Sequence, residues 1–174
     1  ALLLGVRPWA GFAPGAESVV AGVVATGPLL AAFGLSARLR PGWFSELEAI
    51  VRPLVRSLFR GHGSPAVIAV AVLAGVGEEL LFRGVLQAWL AEWTGPAAGV
   101  IVASFLFGLM HAVTRAYLLL AAAMGLYLGV LFAVTDDLLL VMVVHAFYDW
   151  VAIEYVLRFG ASGAGDDGFS SGDD

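Results

Sequence analysis

The sequence predicts an all-α fold: a polytopic transmembrane helix bundle of about five spans plus one interfacial amphipathic helix. Three observations predict it. Hydrophobic residues make up 60% of the chain and charged residues 13%, against roughly 45–50% and 25% in soluble domains. At 174 residues there is room for about five apolar runs of ~20 residues, the length that crosses a hydrocarbon core, and little left for a soluble domain. One further stretch carries arginines on one side and apolar residues on the other, the pattern of a helix lying at the membrane surface.

Along the chain, "ALLLGV" (1–6) is too short to span and reads as the remnant of a trimmed helix or a short cap. It is not framed as a signal peptide, because no charged n-region or cleavage site accompanies it. The first span is "SVVAGVVATGPLLAAFGL" (18–35), with Pro28 tolerable inside a bundle. In "WFSELEAIVRPLVRSLFRG" (43–61), Leu47, Ile50, Val51, Leu54, Val55, Leu58 and Phe59 recur at i, i+3, i+4, while Arg52, Arg56 and Arg60 take the other side. This segment is expected to be the interfacial helix, bent near Pro53. Ser64 as N-cap and Pro65 at the first helical position open a long helix to about Trp93. Segments 95–113, 116–134 and 138–157 complete the spans. Residues 1–158 form one transmembrane domain, and the Gly/Ser/Asp-rich 159–174 is expected to be a disordered acidic tail.

The charges set limits on function and orientation. The net charge of −5 owes much to Asp166, Asp167, Asp173 and Asp174, and no basic tract points to nucleic acid as a partner. With no cysteine in the chain, disulfides, thiolate catalysis and Cys-ligated metal sites are excluded. All nine basic residues are arginine, and Arg38, Arg40, Arg52, Arg56 and Arg60 crowd one connection. By the positive-inside rule that long loop is expected on the cytoplasmic side of the cell membrane, with Arg115 and Arg158, opposite Asp136 and Asp137.

Glu78, Glu79 and Arg83 in "GEELLFRG", and Asp149, interrupt otherwise apolar spans. A charge at mid-span opposes insertion by roughly 2.5–3.5 kcal/mol, so four facing lipid would cost about 10 kcal/mol. They must face each other or a wet cavity. Glu79 and Arg83 are i, i+4 neighbours that can pair on one face, whereas Glu78 is turned about 100° away and left free for chemistry. His145 precedes Asp149 by one turn, and His111 follows Phe107 by one turn. Imidazoles and carboxylates meeting at one point support two kinds of hydrolysis: a carboxylate base activating water beside histidine donors, or a metal held by His and carboxylate ligands.

The motifs E-E-x-x-x-R (78–83), F-x-x-x-H (107–111) and H-x-x-x-[N/D] (145–149), in this order on successive apolar segments over residues 64–158, resemble the CPBP ("Abi") family of CAAX proteases and bacteriocin-processing enzymes. The resemblance implies an intramembrane endopeptidase for peptide or protein substrates at the lipid bilayer. Position by position it makes Glu78 the activator of the hydrolytic water, His111 its assistant and His145 the stabiliser of the oxyanion. Asp149 stands where the eukaryotic and archaeal CAAX endopeptidases carry Asn. Glu79 and Arg83 match the supporting pair, and Phe107 the motif aromatic. An ionised Asp149 would repel an oxyanion, so it must be protonated, orient His145 or bind a metal. No cofactor is required by this scheme. The alternatives are a zinc-dependent metallopeptidase with Glu78, His111, His145 and Asp149 as ligands, and a non-catalytic membrane scaffold or immunity protein. Other polar residues have plainer readings: Gln87 as a helix-pair hydrogen bond, His62 as solvated, Trp89, Trp93, Tyr148 and Trp150 as interface anchors or packing. Gly125-x-x-x-Gly129 permits close helix packing within the chain or between chains.

Overall fold

The computed structural model describes Phe12 and residues 14–159, so the expectations for "ALLLGV" and the acidic tail lie outside the described residues. Among the described residues, eight α-helices follow one another: α1 (Ala16–Ala25), α2 (Gly27–Leu39), α3 (Gly42–Leu58), α4 (Ser64–Glu79), α5 (Ala88–Thr94), α6 (Pro96–Met110), α7 (Arg115–Thr135) and α8 (Leu138–Phe159). Between α4 and α5, residues Leu80–Gln87 wind as a π-helix, so that 64–94 is one continuous rod. Among the described residues there is no strand.

Four stretches of the described chain are long and apolar enough to cross a membrane: Ala16–Leu39, Ser64–Thr94, Arg115–Thr135 and Leu138–Phe159. The expected fifth span, 95–113, is a shorter apolar helix of 15 residues, Pro96–Met110. At 1.5 Å per residue it reaches about 22 Å, short of a ~30 Å hydrocarbon core. Its bounds follow from local chemistry: Gly95 turns the chain at φ 88 before Pro96, and His111 leaves helical geometry at φ −104, ψ 15.

The first span is two helices instead of one. Pro28 brings no N–H to the first turn of α2, and the chain turns at Thr26, whose hydroxyl donates to the Gly22 carbonyl at 2.8 Å. The amphipathic helix begins after Pro41 and runs unbroken through Pro53 to Leu58, so Pro53 does not end it. Ser64 is the first helical residue of α4 and not its cap. Gly63 takes the cap position, and the Ser64 hydroxyl accepts from Arg158 at 3.4 Å. Asp137 caps the start of α8, accepting the Leu140 N–H at 3.0 Å.

Two close approaches place the helices that carry the polar residues. α4 lies against α8 at Gly75, where a Cβ would sit 2.8 Å from the Ala146 nitrogen and 2.9 Å from the Met142 carbonyl oxygen. α6 lies against α7 at Gly108, where a Cβ would sit 2.7 Å from that of Ala122. Around them Leu128, Leu138, Val141, Met142 and Val144 form one buried cluster, and Phe82, Phe107 and Ala121 a second. Leu73, Ile101, Leu119 and Val134 remain exposed, as lipid-facing residues of a membrane protein should.

Candidate active site

Glu79, Arg83 and Gln87 fall four residues apart along the rod, the last two within its π-wound stretch. All three are buried. Arg83 donates from Nη1 to Glu79 Oε1 at 2.7 Å and from Nη2 to the Gly125 carbonyl at 2.8 Å. Gln87 Nε2 donates to the Gly129 carbonyl at 3.0 Å, the helix-pair bond expected of it. The Gly125/Gly129 pair thus works within the chain: a Cβ at Gly129 would lie 2.8 Å from Gln87 Oε1. Without that side chain the carbonyls of α7 are within reach of the two donors. Arg83 also stacks its guanidinium 5.0 Å from the centre of the Phe107 ring.

The Glu79 oxygen that binds Arg83 also lies 2.7 Å from His145 Nδ1. A carboxylate only accepts, so Nδ1 carries the proton and Nε2 is turned away from Glu79. That Nε2 lies 3.4 Å from Asp149 Oδ2 and 3.9 Å from Glu78 Oε2. His111 is held by a second device. Its Nδ1 lies 2.8 Å from the Phe107 carbonyl, again an acceptor only, so Nδ1–H donates and the Nε2 lone pair faces Glu78 Oε2 at 3.7 Å. Its ring packs on Phe107 with centroids 4.6 Å apart.

Glu78 differs from its neighbour. Its side chain is 34% exposed where that of Glu79 is fully buried, yet Oε2 itself is enclosed and accepts no hydrogen bond from the described residues. It stands between two imidazole nitrogens, at separations too long for direct hydrogen bonds.

Beside the cluster is a cavity of about 300 Å³ to which His111, His145 and Asp149 contribute walls. Its remaining lining is mainly apolar and aromatic, from α2 (Phe33), α3 (Trp43, Phe44) and α7 (Tyr117). The structure therefore brings Glu78, Glu79, Arg83, Phe107, His111, His145 and Asp149 into one cluster, drawn from the rod 64–94, from α6 with the residue that ends it, and from α8. Of the cavity tyrosines, Tyr117 escaped the sequence reading, and Tyr148 was read as anchoring or packing alone. Tyr117, edge-on to His111 at 5.7 Å, sits on the first turn of α7, where its spacing from His111 across a turn carries no periodic signal. Tyr148 lines the cavity as well as packing edge-on against Phe33 at 6.1 Å. His62 lies outside, exposed, with Nδ1 3.0 Å from the Arg60 carbonyl. Among the described residues no group of three or more His, Asp or Glu side chains is arranged to hold a metal ion.

A family model described as Type II CAAX prenyl endopeptidase Rce1-like matches residues 61–151, more than half of the chain and all of the cluster. No curated protein and no solved structure matches it.

Proposed function

The chain belongs to the type II CAAX prenyl endopeptidase Rce1-like family, membrane endopeptidases of the CAAX-protease type, and from that premise we propose that it cleaves peptides with water activated by Glu78. The observation that carries this reading is Glu78 Oε2, enclosed and without a donor among the described residues, 3.7 and 3.9 Å from the Nε2 atoms of His111 and His145. A water there donates one hydrogen to Glu78, and the His111 lone pair is aimed to accept the other. As Glu78 takes the proton, the water oxygen bonds to the carbonyl carbon of the substrate and the carbonyl electrons move to oxygen. His145 donates from Nε2 to that oxyanion while Glu79 accepts from Nδ1, so the ring acts as its imidazolium, with Asp149 as counter-charge. Collapse breaks the C–N bond, and Glu78 returns its proton to the leaving amine.

The test is cleavage of an internally quenched peptide by the protein in liposomes. Glu78→Gln should lower the rate by about 10²- to 10⁴-fold, the range for a lost general base, without lowering the amount of folded protein. An active Glu78→Gln variant would sink the assignment. A wild-type protein that cleaves no peptide would leave the non-catalytic scaffold in possession. The zinc reading has donors of the right chemistry, His145 Nε2 lying 3.4 Å from Asp149 Oδ2 and 3.9 Å from Glu78 Oε2, but among the described residues they are not arranged to hold an ion.

A further inference from the structure

α3 presents two parallel rows that the peptidase chemistry does not use. Ile50, Leu54 and Leu58 recur every four residues and are exposed. Arg52 and Arg56 recur at the same interval, displaced by two residues, which turns them about 160° around the helix from the apolar row, and Arg60 follows in the turn after α3. Between these rows Phe44 and Glu48 face inward and are buried, which fixes the roll of the helix against the bundle. Neither row can turn away.

The arginine row borders a groove of about 650 Å³ lined by Arg40, Ser45, Glu48, Arg52, Arg56 and Arg60, among others. Among the described residues Glu48 is its one carboxylate. Arg40 reaches Glu48 from the end of α2 at 2.6 Å and Arg52 at 2.9 Å. Arg56 and Arg60 are exposed and have no ion-pair partner among the described residues. Four guanidiniums against one carboxylate leave a strong local excess of positive charge in a chain whose net charge is −5. Exposed Glu46 is on the same helix and does not line the groove.

We infer that this groove binds the phosphate of an anionic phospholipid headgroup. The guanidinium fork matches phosphate oxygens two at a time, and the neighbouring Ser45 supplies a hydroxyl donor. The apolar row on the opposite flank commits the ligand to lipid: it sets α3 at the depth where acyl chains meet headgroups, so the arginines lie at phosphate level. The inference rests on the membrane assignment and is independent of how the peptide bond is cut.

The test titrates the full chain in neutral detergent with dioctanoyl phosphatidylglycerol, dioctanoyl phosphatidylcholine and inorganic phosphate, counting bound lipid by native mass spectrometry and following thermal unfolding. Phosphatidylglycerol should bind and raise the unfolding temperature, and phosphatidylcholine and phosphate should do neither at the same concentration. R56Q should weaken phosphatidylglycerol binding about fivefold and the R56Q/R60Q double variant about 25-fold, from roughly 1 kcal/mol per surface arginine. Both residues are exposed and without an ion-pair partner among the described residues, so circular dichroism should be unchanged. R115Q removes the same charge at an exposed site on α7 and should leave binding as it was. Equal binding of inorganic phosphate would give the groove to a free anion. An R115Q loss equal to that of R56Q would reduce the effect to net charge. Either result, or no phosphatidylglycerol binding at all, overturns the inference.

Discussion

One oxygen atom, Glu79 Oε1, accepts hydrogen bonds from Arg83 and from His145, both at 2.7 Å. The residue expected to be structural therefore also positions a proposed catalytic imidazole. Glu79→Gln should accordingly lower both folded yield and cleavage. Removing one partner of a fully buried ion pair costs about 3–5 kcal/mol, readable as a lower unfolding temperature beside the peptide assay. A Glu79→Gln protein as stable as wild type but inactive would show that the Arg83 pair carries no folding role. Asp149 gives the second prediction. With Oδ2 3.4 Å from His145 Nε2, Asp149→Asn exchanges a counter-charge for an amide that can donate to the oxyanion. We expect it to keep activity within about tenfold, and the wild type to be insensitive to a chelator. Inactivity of the Asp149→Asn variant, with about one metal per chain and loss of activity to a chelator, would move the assignment to the zinc enzyme. At this scale the sequence was informative wherever partners lie one helical turn apart: Glu79 with Arg83, His145 with Asp149, His111 with Phe107. The bond between Glu79 and His145 was hidden, since it depends on how closely two helices pack.

That closeness belongs to the elements. α4 and α8 meet at Gly75, with backbone and side-chain atoms of Met142 and Ala146 within 3.0 Å of where a Cβ would stand. Gly75 is one turn before Glu79, and Ala146 follows His145, so this contact sets the reach of the Glu79–His145 bond. Gly75→Ala should push the helices apart and destabilise the protein by about 1–3 kcal/mol, the range for overpacking, with cleavage falling further than stability alone explains. Gly77→Ala is the control, because a Cβ there meets nothing within 4 Å. Equal behaviour of the two variants would remove the contact from the argument. The helix count shows the same division. The hydrophobic runs at 64–94, 115–135 and 138–159 were legible from apolar length alone, as was the amphipathic α3 from its arginine row. The turn at Thr26, the early end of α6 and the π winding at Leu80–Gln87 were not. Each is decided by a few backbone hydrogen bonds that average hydropathy does not register.

At the scale of the whole molecule, the bilayer is the solvent and α6 does not match it. About 22 Å of helix in a ~30 Å core calls for local thinning of the lipid or for polar ends drawn inward, and His111 follows the C-terminal end of α6. Peptide cleavage should fall severalfold between thin and thick bilayers of otherwise equal composition, measured in liposomes of short- and long-chain phosphatidylcholine. A rate indifferent to acyl length would show that α6 is sheltered from lipid by the rest of the bundle.

The cavity beside the cluster is built from two stretches of chain with different standing. His111, Tyr117, His145 and Asp149 lie within the family-matched 61–151, whereas Phe33, Trp43 and Phe44 precede it. Substitutions in α2 and α3 can therefore reshape what fits against the proposed hydrolytic groups while leaving those groups untouched. In evolutionary terms, the proposed site then makes the reaction and the choice of substrate separately heritable. Two descendants of one such protein can keep the same motifs and come to cut different peptides.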